Sequence, residues 1–357
     1  MSRTYPLAVF IETGGMRVLA TSLLDNPAAM SASTSVSRRE RRSRASLVTV
    51  PPPFRSAPPS YLPATSATTP VLAFAPVTLI DAHTHLFAPS QIAAREELAS
   101  RDETFAEMYA DPAAKMADAP ALRAALDRAG LDRAVAAGFA FSSAREASTQ
   151  NEYLLSATQG EDRILALATI NPALPGWEAE GHRALAAGAR GFGELRPHNQ
   201  GWDPLGADAG RLYALATEAS AVLLWHVSEE IGHQYPGKRG GISAEELWRV
   251  AVEFPALRMI AAHMGASLSF FLHMPEVREA LQNVWFDTAA FGLLYDDRSV
   301  ARLVDLAGPG RVLFGSDYPL LSPRRQLQRV TALLPGGVAQ AVCGGNAESL
   351  FSEKHDS

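Results

Sequence analysis

His83 and His85 stand one residue apart at the end of the apolar run Val77-Thr78-Leu79-Ile80. In an extended strand residues i and i+2 share a face, so the two imidazoles project together. A pair held that way can take adjacent corners of one metal's coordination shell, a role imidazole fills for zinc, iron, nickel or manganese-type sites. Two surface histidines flanking a turn would look the same in isolation. Three later segments repeat the pattern, however. The run Val222-Leu223-Leu224-Trp225 leads into His226, Leu257 to Ala262 leads into His263, and Arg311 to Ser316 leads into Asp317. In a parallel barrel the strands read as near-continuous apolar runs and the chemistry sits where they end. These endings point to one site.

The elements that must hold those side chains alternate in type. Strands are predicted over 77–83, 133–140, 163–170, 189–195, 221–227, 257–263, 283–288 and 311–316, with helical periodicity over 121–129, 176–187, 210–219, 244–253, 276–282, 299–306 and 324–333. Alternating β and α units over about 275 residues match the size of a (β/α)8 TIM barrel, an α/β fold. A doubly wound open sheet is the competitor, but it would gather its ligands at one switch point rather than from strands 1, 5, 6 and 8. The long connection from Leu86 to Pro120, with a helical stretch from Gln91 to Tyr109, is predicted to lid the pocket. The loop Glu229 to Gly241 is predicted to form a second wall.

At 357 residues and 47% hydrophobic, the chain can bury a large core. That core is expected over 77–352, with a short tail over 353–357. Residues 1–76 are rich in Pro, Ser and Arg and are predicted to be a disordered extension, because they lack the periodic apolar content that offsets ordering entropy. They hold eight Arg against three acids, net +5, so a formal charge of −6 for the whole leaves about −11 after residue 76. The basic stretch Arg38 to Arg44 reads as a solvated arm, with a nucleic-acid or membrane tether, or a native start further downstream, as alternatives. No secretory h-region and no run of about 18 apolar residues is present. A single cysteine, Cys343, excludes an internal disulfide and fits a reducing compartment. A cytoplasmic protein acting on a small molecule is expected, with no membrane or nucleic-acid partner and with a homodimer as an option.

Asp81-Ala82-His83-Thr84-His85, His226, Ala262-His263-Met264-Gly265, Phe314-Gly315-Ser316-Asp317-Tyr318-Pro319 and Gly344-Gly345-Asn346-Ala347 together resemble the amidohydrolase superfamily. The similarity is to its amidohydrolase-2 branch of metal-dependent hydrolases, which also holds decarboxylases of the aminocarboxymuconate semialdehyde and γ-resorcylate type. The resemblance implies His83, His85, His226 and Asp317 as metal ligands. It implies that Asp317 also handles a proton, and that His263 acts on substrate or bound water or ligates a second ion. The implied cofactor is a divalent metal, zinc in the first instance with manganese or iron as alternatives, as one ion or two. Such a site leaves a coordination position open, activates water and places a carboxylate for proton transfer.

Strand 4 ends Gly193-Glu194-Leu195-Arg196, placing Glu194 and Arg196 on one face. Glu194 is either a further metal ligand, bridging two ions as carboxylates do in binuclear relatives, or the salt-bridge partner of Arg196 or of another residue in the barrel mouth. Arg196 offers a fork suited to a carboxylate. With Lys238 and Arg239 on the neighbouring loop, it predicts a basic mouth and an anionic substrate. His198 and His233 lie in loops on the same face and are candidate substrate contacts. His182, His273 and His355 are read as surface residues, Trp225 and Cys343 as core. The expected function is metal-dependent hydrolysis of an amide, ester or lactone, with non-oxidative decarboxylation of a carboxylated ring or muconate-type acid as the alternative. A non-catalytic binding barrel is a third. Deleting residues 1–70 should leave the thermal midpoint and activity essentially unchanged, and a large drop in the midpoint would place that segment in the fold.

Overall fold

The computed structural model describes residues 78–352, apart from 161, 228 and 230. The predicted extension over 1–76, the tail over 353–357 and His355 lie outside the described residues. Strands β1 (Ile80–His85), β2 (Arg133–Ala137), β3 (Ile164–Ala168), β4 (Gly191–Leu195), β5 (Val222–Trp225), β6 (Arg258–Ala261), β7 (Val284–Asp287) and β8 (Val312–Leu313) form one eight-stranded sheet in sequence order. Each pairs parallel to the next. The seam closes where Thr84 bridges Tyr318 and the Ala82 N–H donates to the Phe314 carbonyl at 2.7 Å. The chain is a TIM barrel, and the open doubly wound sheet is ruled out by that closure.

Ile80, Ala82, Val135, Ala137, Leu167, Val222, Leu224, Ile260 and Leu313 fill the barrel interior. The alternate residues, such as Leu223 and Trp225, pack outward under the helices, so Trp225 is core, as its place beside His226 implies. The strands pair over shorter spans than predicted. At β5, β6 and β8 pairing ends before the chemistry-bearing residue.

Connecting helices include α1 (Glu103–Tyr109), α2 (Ala119–Ala129), α3 (Ala144–Ala157), α4 (Ala244–Glu253) and α5 (Pro323–Leu333). Their ends follow capping chemistry. Asp118 accepts from the Ala121 N–H at the start of α2, and Gly130 closes that helix at φ 71. Ser243 and Glu246 form a capping box on α4. Helix α3 is not among those read from sequence, because its buried face carries Gln150 and Asn151 and the polar pair dilutes the apolar period. Gln150 donates to the Leu86 carbonyl at 2.8 Å and accepts from Phe139 N–H at 2.7 Å. Asn151 brackets the backbone of Thr169 at 2.7 and 3.0 Å. The two amides clip together the chain just beyond β1, β2 and β3.

The long connection after β1 carries α1, preceded by the short helices Pro89–Ala93 and Arg95–Ala99. Phe105 and Tyr109 of α1 pack edge-on or stacked against Phe87, Phe139 and Phe141 at centroid distances of 5.0 to 6.1 Å. Asp102 accepts from both the N–H and the hydroxyl of Ser142. The predicted lid is therefore fastened to the rim by an aromatic cluster. Among the described residues, no helix is long and apolar enough to cross a membrane.

Gln150→Leu keeps the volume but orphans the Phe139 N–H and the Leu86 carbonyl. It should lower unfolding free energy by at least about 2 kcal/mol, at about 1–3 kcal/mol for each buried group left unpaired. Urea denaturation read by fluorescence checks this.

Candidate metal centre

Regular alternation would not build this site. Ile80 and Ala82 face the barrel interior, so an ideal strand would turn His83 outward. The β1–β2 register slips between Asp81 and Thr84, a bulge that carries His83 inward beside His85. A second slip between Phe192 and Leu195 lies in β4, the strand that bears Glu194. His226 needs no such device, since it continues the inward series Val222 and Leu224. His263 and Asp317 take positive φ values of 56 and 61, a conformation non-glycine residues hold only when their surroundings impose it. A Cβ on Gly315 would stand 2.8 Å from the Cβ of His83, so only glycine allows the chain just past β8 to run this close to β1.

These devices bring together the residues predicted as ligands. His83, His85 and Asp317 form one triad of donors and Glu194, His226 and His263 another, with the donor atoms in each within 4.8 Å of one another. The Nε2 atoms of His83 and His85 are 3.1 Å apart, and Asp317 Oδ1 lies 3.4 Å from His85 Nε2. Glu194 stands between the triads. Its Oε2 is 3.7 Å from His85 Nε2, while Oε1 is 2.9 Å from His226 Nδ1 and 3.2 Å from His263 Nε2. Among the described residues no ion pair joins Glu194 to Arg196, and the partners of Glu194 are histidines of the barrel mouth, an arrangement open to either role.

Asp287 is a functional residue that the sequence reading missed. Its Oδ2 lies 2.7 Å from His83 Nδ1, and its Oδ1 accepts from the N–H groups of His263 and Ala289 at 2.9 and 3.0 Å. A carboxylate on Nδ1 fixes the tautomer and leaves the Nε2 lone pair facing the cluster. The signal was available, because Val284-Trp285-Phe286-Asp287 is also an apolar run ending in a metal-capable side chain.

Asp287 and His83 are fully buried, and Glu194, Asp317, His226 and His263 nearly so. Burial raises the Asp317 carboxyl, but the hydrogen bond from His85 and the charges of His83 and His263 outweigh it and hold the pKa at about 2. Burial disfavours a charged His83, yet Asp287, Glu194 and Asp317 push it up to about 10. His226 goes the other way, to about 4, because burial outweighs the pull of Glu194. The field here is strongly negative, and desolvated carboxylates demand a cation. His226 Nε2 is buried without a hydrogen-bond partner, and the Nε2 atoms of His83 and His85 converge to 3.1 Å. The residues present fit a divalent metal.

The other predicted site residues fall elsewhere. The Arg196 guanidinium is buried, but Nη2 donates to the carbonyls of Gly237, at 2.9 Å, and Arg239, while Nη1 meets Met108 Sδ at 3.0 Å. Its fork is engaged by the strand-5 loop, so bidentate capture of a substrate carboxylate is not what this geometry offers; Nε alone lacks a partner. Lys238 donates to the carbonyls of Ile231 and His233 at 2.9 and 2.8 Å, so the basic mouth read from sequence is largely an internal staple. His198 is exposed and 3.1 Å from Glu246 on α4, and His233 is exposed near Tyr235; neither joins the cluster. His182 and His273 are exposed and Cys343 is buried, with its thiol pushed up to about 11 by burial. Tyr109, also missed, is buried on the lid, where desolvation and then the charges of Asp317 and Glu194 raise its phenol pKa and keep it a donor. The Glu107 carboxylate accepts from the Gly237 N–H at 2.8 Å, tying α1 to the loop after β5.

The sequence pattern of the amidohydrolase family matches residues 80–352. The 6-methylsalicylic acid decarboxylase of Penicillium expansum is 29% identical over 139 residues, covering 33% of this chain and 42% of that protein, so the chain spans less than half of that relative. Among solved structures, 5-carboxyvanillate decarboxylase from Sphingomonas paucimobilis superposes with a TM-score of 0.63 at 17% identity, over 78% of this chain and 100% of the other. The 5-carboxyvanillate decarboxylase of Novosphingobium aromaticivorans, solved with manganese and 3-methoxy-4-hydroxy-5-nitrobenzoic acid, gives 0.62 at 17% identity over 78% and 97%. At such identities the likeness is one of fold.

Asp287→Asn removes the charge that orients His83 without touching the donor atoms. Metal affinity should fall about 10–100-fold, measured by competition with a chelator, while the thermal midpoint in excess chelator stays close to that of the parent chain.

Proposed function

The chain belongs to the amidohydrolase family, and on that footing we propose that it is a metal-dependent decarboxylase of a small aromatic acid with a hydroxyl beside the carboxylate. The carrying observation is the cluster of His83, His85, His226, His263, Glu194 and Asp317 at the barrel mouth, buried except for the partly exposed His85. The names of the relative and of the structural neighbours favour decarboxylation over the hydrolysis that the sequence reading placed first. His83, His85, His226 and Asp317 would hold the ion, with Glu194 able to bridge to a second. Manganese takes precedence over the zinc first expected, since a neighbour was solved with manganese. A divalent ion held there supplies Lewis acidity toward the oxygens of the substrate.

Exchange of a carboxylate for hydrogen breaks one carbon–carbon bond and needs one proton at the ring carbon. Asp317, held anionic, accepts the phenolic proton of the bound acid and returns it to that carbon. Carbon dioxide then leaves, the electrons of the broken bond restore the aromatic ring, and the phenolate regains a proton from water. His263 is raised in pKa by its hydrogen bond to Glu194, which together with Asp317 overcomes burial. When protonated, it can donate toward developing negative charge. Arg196 contributes positive charge behind the mouth and positions the strand-5 loop. The lid helix α1 and the loop it grips exclude water.

Manganese-loaded protein incubated with 6-methylsalicylate and a panel of hydroxybenzoates should release carbon dioxide and the corresponding phenol, read by mass spectrometry. Asp317→Asn should lower kcat by at least about 100-fold, the lower range for a positioned acid–base group. Production of a new carboxylate from lactones or amides, without carbon dioxide from any acid, would reverse the reading in favour of hydrolysis.

A further inference from the structure

A groove of about 600 Å³ runs between α2 and α5 beside the seam where the barrel closes, within the size range of small-molecule sites. Lys115, Arg128, Arg324 and Arg325 line it, and no carboxylate does. Several arginines elsewhere on the surface pair with acids, as in Arg133 with Asp162, Arg163 with Asp127 and Arg329 with Asp297. Among the described residues, none of the four groove cations has such a partner. The nearby acids are committed: Asp127 to Arg163, and Asp118 to capping α2.

The start of α5 adds to the imbalance. Ser322 makes no side-chain capping hydrogen bond, Pro323 occupies the first turn, and that turn has no acidic residue. The positive end of the helix therefore coincides with Arg324 and Arg325 instead of being offset. Four cations and a helix N-terminus, in a chain of net charge −6, make the groove lining locally positive.

We propose that this groove binds an organic molecule carrying several phosphate groups. A single carboxylate would leave most of the charge unmatched, whereas guanidinium forks and first-turn N–H groups both suit phosphate oxygens. Met116 and Leu321 give the groove apolar walls for an organic body. Tyr318 and Pro319 form its inner side, next in the chain to Asp317, and the Tyr318 carbonyl accepts from His85 N–H at 2.7 Å. The site is separate from the metal cluster, and the proposal stands apart from the decarboxylase reading.

Isothermal titration of the full-length, metal-loaded chain with ADP and with inorganic tripolyphosphate tests it. Both ligands should bind, and the double variant Arg324→Ala, Arg325→Ala should weaken both by at least about 100-fold, since each charge-assisted contact is worth roughly tenfold or more. The ligand-free thermal midpoint should not move, because both side chains are exposed. Equal affinity for the two ligands assigns recognition to the phosphate chain, and tighter binding of ADP adds the apolar walls. The variant keeps the metal centre and the basic stretch Arg38 to Arg44. Undiminished binding in it would therefore place the anion at one of those, and that result, or no binding to the parent chain, overturns the proposal.

Discussion

The structure depends on negative charge taken out of water at the mouth of the barrel. Asp287, Glu194 and Asp317 lie within hydrogen-bond or ion-pair reach of four imidazoles, from His83, His85, His226 and His263. Buried carboxylates are tolerated only with a compensating cation and satisfied lone pairs. The imidazoles supply part of that compensation when protonated, as the raised pKa values of His83 and His263 register. A divalent ion would supply it without any protons, and would return the imidazoles to the neutral form in which they ligate.

Holding such a cluster requires a rigid frame that can break its own regularity at chosen points. The interior below the site is a packed aliphatic layer from β1, β2, β3, β5, β6 and β8. Bulges in β1 and β4 and left-handed residues at His263 and Asp317 then redirect side chains that plain alternation would turn away. Gly315 leaves the gap that His83 fills. The amides of Gln150 and Asn151 replace missing ladder hydrogen bonds just beyond β1, β2 and β3. Asp287 on the His263 N–H and the amides of Gln150 and Asn151 hold the irregular segments in place, which favours a preorganised site.

The same economy of polar groups closes the mouth. Arg196 reaches from the end of β4 to the carbonyls of the strand-5 loop, Glu107 reaches from α1 to the N–H of Gly237, and Asn199 donates to Thr104 at 2.8 Å. These contacts join the lid, the end of β4 and the strand-5 loop over a cluster whose histidines and carboxylates, apart from the partly exposed His85, are nearly out of contact with solvent. A charged side chain that sequence alone suggested as a hand for the substrate thus works on the backbone of the wall.

The barrel, its strand order and the strand ends that bear the candidate ligands were legible in the sequence, because period-2 and period-3.6 patterns and runs that terminate in His or Asp are properties of neighbouring residues. His83, His85, His226, His263 and Asp317 were found that way, and Asp287 could have been. What one chain segment does to another was not legible. That Glu194 meets histidines and not Arg196, that Arg196 and Lys238 bond loop carbonyls, and that His198 turns to Glu246 are long-range pairings, decided by where bulges and loops place each group. Helix α3 was missed for a related reason: its polar inner face makes sense only against the strand ends it clips. Residue type and spacing set which chemistry was available, and the tertiary structure decided which polar groups meet, because a buried hydrogen bond is satisfied by proximity in space and carries no mark in local sequence.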